Sequence, residues 1–300
     1  MILIDHPQSS EIDAVFAFMN ALDTLEFGVA DSSREDLEGD WEQLDLGRDA
    51  WAVRKEGKIC GFASLRGANG RFMLDLYVHE VLTPPGWSDQ LLIAGENRLV
   101  QLKQKDLNHD MYQLTVYASS VNSETNAILA RKGYEVHSWH YRMQIDFSDQ
   151  VDPVGWPEGF VVREFRQDDE AELYQLIQST FDWGDRVTTP LETWRRLLFR
   201  GGRYEPELFM LVRKEGRLVG AALCYDESPT GWIRQLAIAK ELQGQGYGSM
   251  LLRHAFHAFS QRGLTSAGLG VASVNQKACL FYERCGMSKT REFVEYRKKV

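Results

Sequence analysis

A glycine-rich run lies between an apolar strand-like segment and an apolar helix-like segment in this chain of 300 residues. It reads Gln243-Gly244-Gln245-Gly246-Tyr247-Gly248, follows Leu236-Ala237-Ile238 and precedes a stretch that continues to Ser260. Glycine lets the backbone approach a ligand closely, and the N–H groups at the start of a helix favour an anion. The run therefore predicts a phosphate-binding turn, with a plain flexible turn before a helix as the alternative.

A second segment with chemically suitable residues lies downstream. It reads Asn275-Gln276-Lys277-Ala278-Cys279-Leu280-Phe281-Tyr282 and leads to Gly286-Met287. Asn275 and Tyr282 are seven residues apart, close to two helical turns, so both can face the same ligand. The first run lacks the Gly-Lys-Ser/Thr ending of a P-loop and the G-x-G-x-x-G spacing of a dinucleotide-binding turn, so neither class is indicated.

In this order and at this spacing, the two segments resemble those of the GNAT superfamily of acyl-CoA-dependent N-acetyltransferases. Gln243, Gly246 and Gly248 fill the fixed positions of its Gln/Arg-x-x-Gly-x-Gly/Ala signature. The resemblance implies acetyl-CoA as a co-substrate, with its pyrophosphate on the loop and its pantetheine arm beside Asn275. It also implies that backbone groups of Leu236, Ala237 and Ile238 bind the pantetheine, and that Tyr282 is the general acid for the departing thiolate.

The reaction implied by the resemblance is direct attack by a primary amine of a small molecule on the acetyl-CoA carbonyl in a ternary complex. The general base is not identified by the sequence. Asp226 and Glu227 precede the fourth strand of the domain, and Asp182 and Asp185 follow its first helix. Each is also compatible with an ordinary surface carboxylate, and a chain of water molecules is a further alternative.

The chain contains the same pattern twice. Landmarks recur in order, 153 to 160 residues apart. They are Val53-Arg54-Lys55-Glu56-Gly57 with Val212-Arg213-Lys214-Glu215-Gly216, Gly61 with Gly220, Leu76 with Leu236, Asn122–Gly133 with Asn275–Gly286, and Tyr141-Arg142 with Tyr296-Arg297. We therefore predict two domains, a degenerate GNAT-like domain over 1–150 and a catalytic GNAT domain over 151–300. A linker with Pro153, Gly155 and Pro157 joins them.

The first copy departs from the pattern at the positions that bind the co-substrate. Thr83-Pro84-Pro85-Gly86-Trp87-Ser88 replaces the glycine-rich loop, which removes two N–H donors and adds a Cβ. Leu129 replaces Tyr282, although Asn122 is retained. These differences predict a first domain whose co-substrate site is lost or weakened.

The expected fold class is mixed α/β (α+β), with each domain a mixed, mostly antiparallel sheet flanked by helices. In the second half the periodicity predicts an early strand and two helices, a hairpin, and then alternating strands and helices. These elements are strands 161–165, 208–213, 217–224, 231–238, 267–272 and 293–298, and helices 168–181, 191–199, 246–260 and 276–284.

Composition is that of a soluble globular protein, with 44% apolar and 26% charged residues and a net charge of −9. We expect a cytoplasmic protein that binds neither membrane nor nucleic acid. Its four cysteines are reduced thiols, and no metal site is expected. The acidic stretch Asp31–Asp49 is either a solvated surface or a surface that attracts a cationic amine. Two functional alternatives are a non-catalytic acyl-CoA sensor and a structural tandem scaffold.

Overall fold

The computed structural model describes residues 2–30, 32–105, 111–181, 188–199 and 204–300. The chain forms two compact units. Unit 1 comprises residues 1–140 and 291–300, and unit 2 comprises residues 141–290. None of the helices in these described ranges combines the length and the apolar character that a bilayer crossing requires.

Unit 1 is built on a mostly antiparallel sheet with helices between its strands. Its elements in chain order are β1 (Ile2–Asp5), α1 (Ile12–Phe27), α2 (Arg34–Trp41), α3 (Leu46–Asp49), β2 (Ala50–Lys55), β3 (Lys58–Ala68), β4 (Arg71–Tyr77), α4 (Trp87–Lys105), β5 (Gln113–Ser119), α5 (Ser123–Arg131) and the first half of β6 (Glu135–Asp146). Strands β1 to β4 pair antiparallel in sequence order, whereas β4 and β5 are parallel.

Unit 2 repeats this arrangement. Its further elements are β7 (Phe160–Glu164), α6 (Glu170–Thr180), α7 (Leu191–Leu198), β8 (Phe209–Lys214), β9 (Arg217–Glu227), β10 (Thr230–Ile238), α8 (Tyr247–Gln261), β11 (Ser266–Ala272) and α9 (Gln276–Arg284). The last strand, β12 (Ser288–Lys299), begins in unit 2, and its residues from 291 onward belong to unit 1. The strand order of unit 2 is β7-β8-β9-β10-β11-β6, with antiparallel pairs up to β10 and a parallel β10–β11 pair. The mixed α/β class and the predicted elements of this half are thereby confirmed.

The final strand of the chain completes the sheet of unit 1. Phe293–Lys299 of β12 pairs antiparallel with β5. Conversely, residues 141–146 of β6 belong to unit 2, where β6 is the neighbour of β11. The compact units therefore differ from the division predicted from sequence, 1–150 and 151–300, in residues 141–150 and 291–300. A strand's apolar pattern indicates that it is a strand but does not determine which sheet it joins.

One local feature is common to the two copies. The β2–β3 and β8–β9 hairpins both turn on a Glu-Gly pair with left-handed backbone, with φ of 53° and 80° at Glu56-Gly57 and 49° and 83° at Glu215-Gly216. This is the pattern of a tight two-residue hairpin turn. In unit 2, a Cβ on Gly231 would lie 2.2 Å from the ring of Phe259, so glycine permits α8 to pack directly on β10.

Candidate active site

The glycine-rich loop connects the end of β10 to the start of α8. Gly244 and Gly246 have φ of 75° and 90°, the left-handed region that favours glycine. A Cβ at either position would meet nothing within 4 Å. The requirement for glycine therefore comes from the backbone conformation rather than from crowding.

The start of α8 has backbone donors available for an anion. Its first helical hydrogen bond runs from the Met250 N–H to the Gly246 carbonyl, at 3.1 Å. By helix geometry the N–H groups that precede Met250 have no helical acceptor, and no side chain caps them. The first turn carries no acidic residue. The partial positive charge of this helix end is therefore not neutralised by the helix itself.

The Gln243 side chain forms a hydrogen bond that stabilises the loop. Its amide Nε2 donates to the Ile238 carbonyl at 2.9 Å, and its backbone N–H donates to the Lys240 carbonyl at 3.3 Å. Gln245 makes a similar bond from Nε2 to the Glu241 carbonyl, at 2.9 Å. In this structure the Gln243 side chain fixes the loop against the end of β10, which is a positioning role.

β10 separates from β11 before it reaches the loop. The two strands pair in parallel from Thr230 with Ser266 to Ile233 with Leu269. The register of β10 against β9 shifts between Ile233 and Gln235, which marks a β-bulge. Leu236, Ala237 and Ile238 continue to pair with β9 beyond that point, so their edge toward β11 is open. This is the splay at which a pantetheine arm can meet backbone N–H and C=O groups.

Helix α9 lies against both the end of β11 and the first turn of α8. The Cys279 Sγ lies 3.8 Å from the Ala272 carbonyl of β11, and the Cys285 Sγ lies 3.5 Å from the Ser249 Oγ of α8. Tyr282 is three residues from each cysteine and therefore shares their helix face. Its side chain accordingly faces the region between the β11 end and the α8 N-terminus.

The Tyr282 hydroxyl makes no hydrogen bond with any residue that the structure describes. Burial, with a smaller contribution from Cys279 and Cys285, raises the pKa of Tyr282 well above its usual value. The phenol is consequently protonated at neutral pH, the form that a general acid requires.

Asn275 is the N-cap of α9, where its Oδ1 accepts the Ala278 N–H at 3.2 Å. Its Nδ2 donates to no residue in the described ranges, which leaves the amide available to a ligand. The loop and α9 meet at Gly248, because a Cβ there would lie 3.5 Å from the Phe281 ring and 3.9 Å from the Ile238 side chain. The structure thus brings the predicted loop, strand end and α9 residues together.

The proposed bases on the β9–β10 turn do not belong to this cluster. Asp226 pairs with Gly231, seven residues before Ile238 on β10. At the spacing of residues in a strand, it therefore lies roughly 23 Å from Ile238. Its carboxylate accepts from the Ser228 N–H and hydroxyl instead. Glu227 pairs with Thr230, still farther along. Asp182 and Asp185 lie outside the described residues.

Unit 1 lacks an open site at the matching positions. In its loop the Trp87 N–H donates to the Pro84 carbonyl at 3.2 Å, and Ser88 is fully buried. Leu129, at the position of Tyr282, is also fully buried.

Asn122 of unit 1 caps α5 through Oδ1, as Asn275 caps α9, but its Nδ2 donates to the Val78 carbonyl and to Glu26 Oε1. No local pattern indicates Glu26, because its contact with Asn122 spans 96 residues.

Comparison with known proteins identifies the class. The model of the acetyltransferase (GNAT) family matches residues 170–287, within the half that carries the site. The chain is 29% identical over 96 residues to N-alpha-acetyltransferase 30 of Schizosaccharomyces pombe, covering 30% of this chain and 64% of that protein. It is 26% identical over 264 residues to mycothiol acetyltransferase of Geodermatophilus obscurus, covering 84% of this chain and 82% of that protein.

Solved structures share the whole fold. A GCN5-related N-acetyltransferase from Sphaerobacter thermophilus superposes with a TM-score of 0.85 at 23% identity, over 99% of this chain and 95% of that one. A tandem GNAT protein from the clavulanic acid biosynthesis pathway has a TM-score of 0.75 at 14% identity, over 100% and 98%. The fold is that of tandem GNAT proteins. Residues 170–287 match the acetyltransferase (GNAT) family, and the relatives named above are acetyltransferases.

Proposed function

We propose that unit 2 transfers the acetyl group of acetyl-CoA to a primary amine of a small molecule, and that unit 1 does not bind acetyl-CoA. One observation carries this proposal. In unit 2 the open helix end of α8, the β10–β11 splay and Tyr282 converge around Gly248 and Phe281. In unit 1 the matching groups bond to one another or are buried.

The residues present fit the co-substrate in shape and charge. The uncapped N–H groups at the α8 N-terminus can donate hydrogen bonds to the two phosphates of the CoA pyrophosphate. Gly246 and Gly248 have no side chain that would keep a phosphate away from this backbone. The pantetheine amides are matched by the open edge of Leu236–Ile238 and by the Asn275 amide. With the pyrophosphate on the loop and the pantetheine beside Asn275, we expect the thioester to lie toward the face of α9 that carries Tyr282.

The chemistry follows from that placement. The amine nitrogen attacks the thioester carbonyl carbon, a backbone N–H of the splayed strand stabilises the developing oxyanion, and the C–S bond then breaks. The thiolate takes the Tyr282 proton, and the proton of the amine passes to water. No covalent intermediate on the enzyme is needed.

We propose only the chemical class of the acceptor, a small primary amine. Chain-wide similarity to a mycothiol acetyltransferase spans both units, and the S. pombe relative is also named as an N-acetyltransferase. We also propose that the protein is cytoplasmic. This location fits its free cysteines, because the cytoplasm is reducing; they are Cys60, Cys224, Cys279 and Cys285.

The proposal is tested by measuring acetyl-CoA consumption with a panel of amines, amino acids, aminoglycosides and peptide N-termini. We expect saturable turnover with at least one small amine and acetylated product by mass spectrometry. Tight binding of acetyl-CoA without turnover on any amine of the panel would favour the non-catalytic sensor instead. Absence of acetyl-CoA binding would contradict the assignment of the site itself.

A further inference from the structure

The α4 N-terminus in unit 1 is flanked by carboxylates of the protein. The Ser88 hydroxyl donates to Glu124 Oε1 at 3.3 Å, which brings the first turn of α5 onto the second residue of α4. The other carboxylate oxygen, Oε2, is buried without a hydrogen-bond partner among the described residues. Asp89, the next residue of α4, is a second carboxylate, which pairs with Arg131 at 2.9 Å and with Lys132 at 3.6 Å. Glu124 therefore adds a negative charge beside a helix N-terminus, the place that favours a phosphate in an intact site.

The same pair of helices is packed the same way in unit 2. Asp89 Oδ1 of α4 lies 3.6 Å from Lys132 Nζ at the end of α5. The residues that match them by the two repeat offsets are Ser249 and Cys285, whose side chains lie 3.5 Å apart. By the same two offsets, Ser88 and Glu124 match Gly248 and Lys277. A Cβ on Gly248 would lie 3.5 Å from the Phe281 ring, and Phe281 is one helical turn after Lys277 on the same face of α9.

Charge is reversed at these matched positions. Unit 1 carries Glu124, with a formal charge of −1, where unit 2 carries Lys277, with a formal charge of +1. Gly248 also removes the hydroxyl that Ser88 uses to hold Glu124. Lys277 is exposed on the first turn of α9 and makes no ion pair within the part of the chain that the structure describes.

We infer that Lys277 binds a phosphate of the CoA moiety, and that the exchange of Glu124 for Lys277 decides which of the two units binds the co-substrate. The inference rests on the function proposed for unit 2 and adds to it a specific cation that the GNAT signature residues do not include. A lysine ammonium is a mobile point charge that suits an exposed phosphate beside a helix N-terminus.

The test is calorimetric titration of CoA, dephospho-CoA and pantetheine into the full chain, as wild type, Lys277→Glu and Lys277→Gln. For CoA we expect affinity to fall about tenfold or more in Lys277→Glu and less in Lys277→Gln. Pantetheine lacks phosphates and should bind all three proteins equally. If the variants bind dephospho-CoA as tightly as the wild type does, Lys277 contacts the 3′-phosphate, which dephospho-CoA lacks. If Lys277→Glu also weakens the binding of dephospho-CoA, the contact is with the pyrophosphate.

Lys299→Glu is the matched control, since it changes the net charge equally from an exposed position at the end of β12. We expect its CoA affinity to equal that of the wild type. Equal CoA affinity in Lys277→Glu and wild type would overturn the inference and leave the proposed function intact. An equal loss with pantetheine would also overturn it, because the effect would then not depend on phosphate. Failure of the wild type to bind CoA would instead contradict the proposed function.

Discussion

The Asn122 Nδ2 donates to the Val78 carbonyl at 2.8 Å, a bond that joins the start of α5 to the residue after β4. Val78 matches Ile238 and Asn122 matches Asn275, yet no such bond forms between Ile238 and Asn275. There the Ile238 carbonyl accepts from Gln243 instead. The same two positions are therefore joined by a side-chain hydrogen bond in unit 1 and are not joined by one in unit 2.

We predict that Asn122→Ala mainly lowers the stability of the fold, whereas Asn275→Ala mainly weakens acetyl-CoA binding. Asn122→Ala removes a helix cap and two side-chain hydrogen bonds, one of them to a carboxylate, and should cost roughly 3 kcal/mol of unfolding free energy. Asn275→Ala removes a cap alone and should cost about 1 kcal/mol, but it should weaken acetyl-CoA binding. Denaturant titration and calorimetry measure the two quantities. Weaker acetyl-CoA binding in Asn122→Ala than in Asn275→Ala would contradict the assignment.

The Asn122 variant should also be pH-dependent. Burial raises the pKa of Glu26, while the hydrogen bond from Asn122 lowers it. Without Asn122 the pKa of Glu26 rises further, so the native state binds its proton more tightly than the unfolded state. Stability then falls as pH rises through that range. The deficit of Asn122→Ala relative to wild type should accordingly be larger at pH 8 than at pH 5.

Gly246→Ala should weaken acetyl-CoA binding through the backbone. A φ of 90° costs an L-residue about 1–2 kcal/mol, and there is no steric clash to add to it. Gly263→Ala is the matched control, since Gly263 has a φ of 79° and equally open surroundings just after α8. We expect similar losses of melting temperature in both variants, and about a tenfold loss of affinity in Gly246→Ala alone. Equal affinities would remove the loop from the binding site.

Tyr282→Phe should retain acetyl-CoA binding and lower kcat by about 100-fold, because it removes the proton donor but keeps the ring. Tyr204→Phe controls for loss of a phenol elsewhere in unit 2. Since burial raises the pKa of Tyr282, the wild-type kcat should show no loss from phenol ionisation below about pH 10. Full turnover in Tyr282→Phe would exclude this residue as the acid.

Asp169 should make unit 2 sensitive to acid. Burial alone would raise its pKa, but hydrogen bonds from Arg163, from the Arg166 N–H and from Arg213 lower it to about 2. Because the folded-state pKa is below the unfolded value, the stabilisation is present above about pH 4 and is lost as pH falls toward 2.

We expect Asp169→Asn to lower the unfolding free energy by about 2 kcal/mol at pH 7 and by about half as much at pH 3. The exposed neighbour variant Asp168→Asn should show little change at either pH. Denaturant titrations at both pH values measure these differences. A deficit of the same size at pH 3 and pH 7 would show that ionisation of Asp169 is not the cause.

Sequence reasoning identified those features that depend on local signals. The hairpin between β8 and β9, the start of α8 and the start of α9 each depend on a few adjacent residues, and each lies within one residue of the predicted position. The pairing of β12 with β5 and the bond from Asn122 to Glu26 join distant segments. No local preference encodes such contacts. Asp226 was a reasonable base by its position in a turn, but strand register places it at the other end of β10.

Calorimetric titration of acetyl-CoA into the wild-type chain and into Gly86→Ala tests the central claim most directly. Gly86 is the unit 1 counterpart of Gly246, with a φ of 83° and open surroundings, so its replacement costs the same backbone strain in the other loop. The account predicts one tight site per chain in the wild type and unchanged affinity and stoichiometry in Gly86→Ala. Two equivalent sites, or loss of binding in Gly86→Ala, would contradict it.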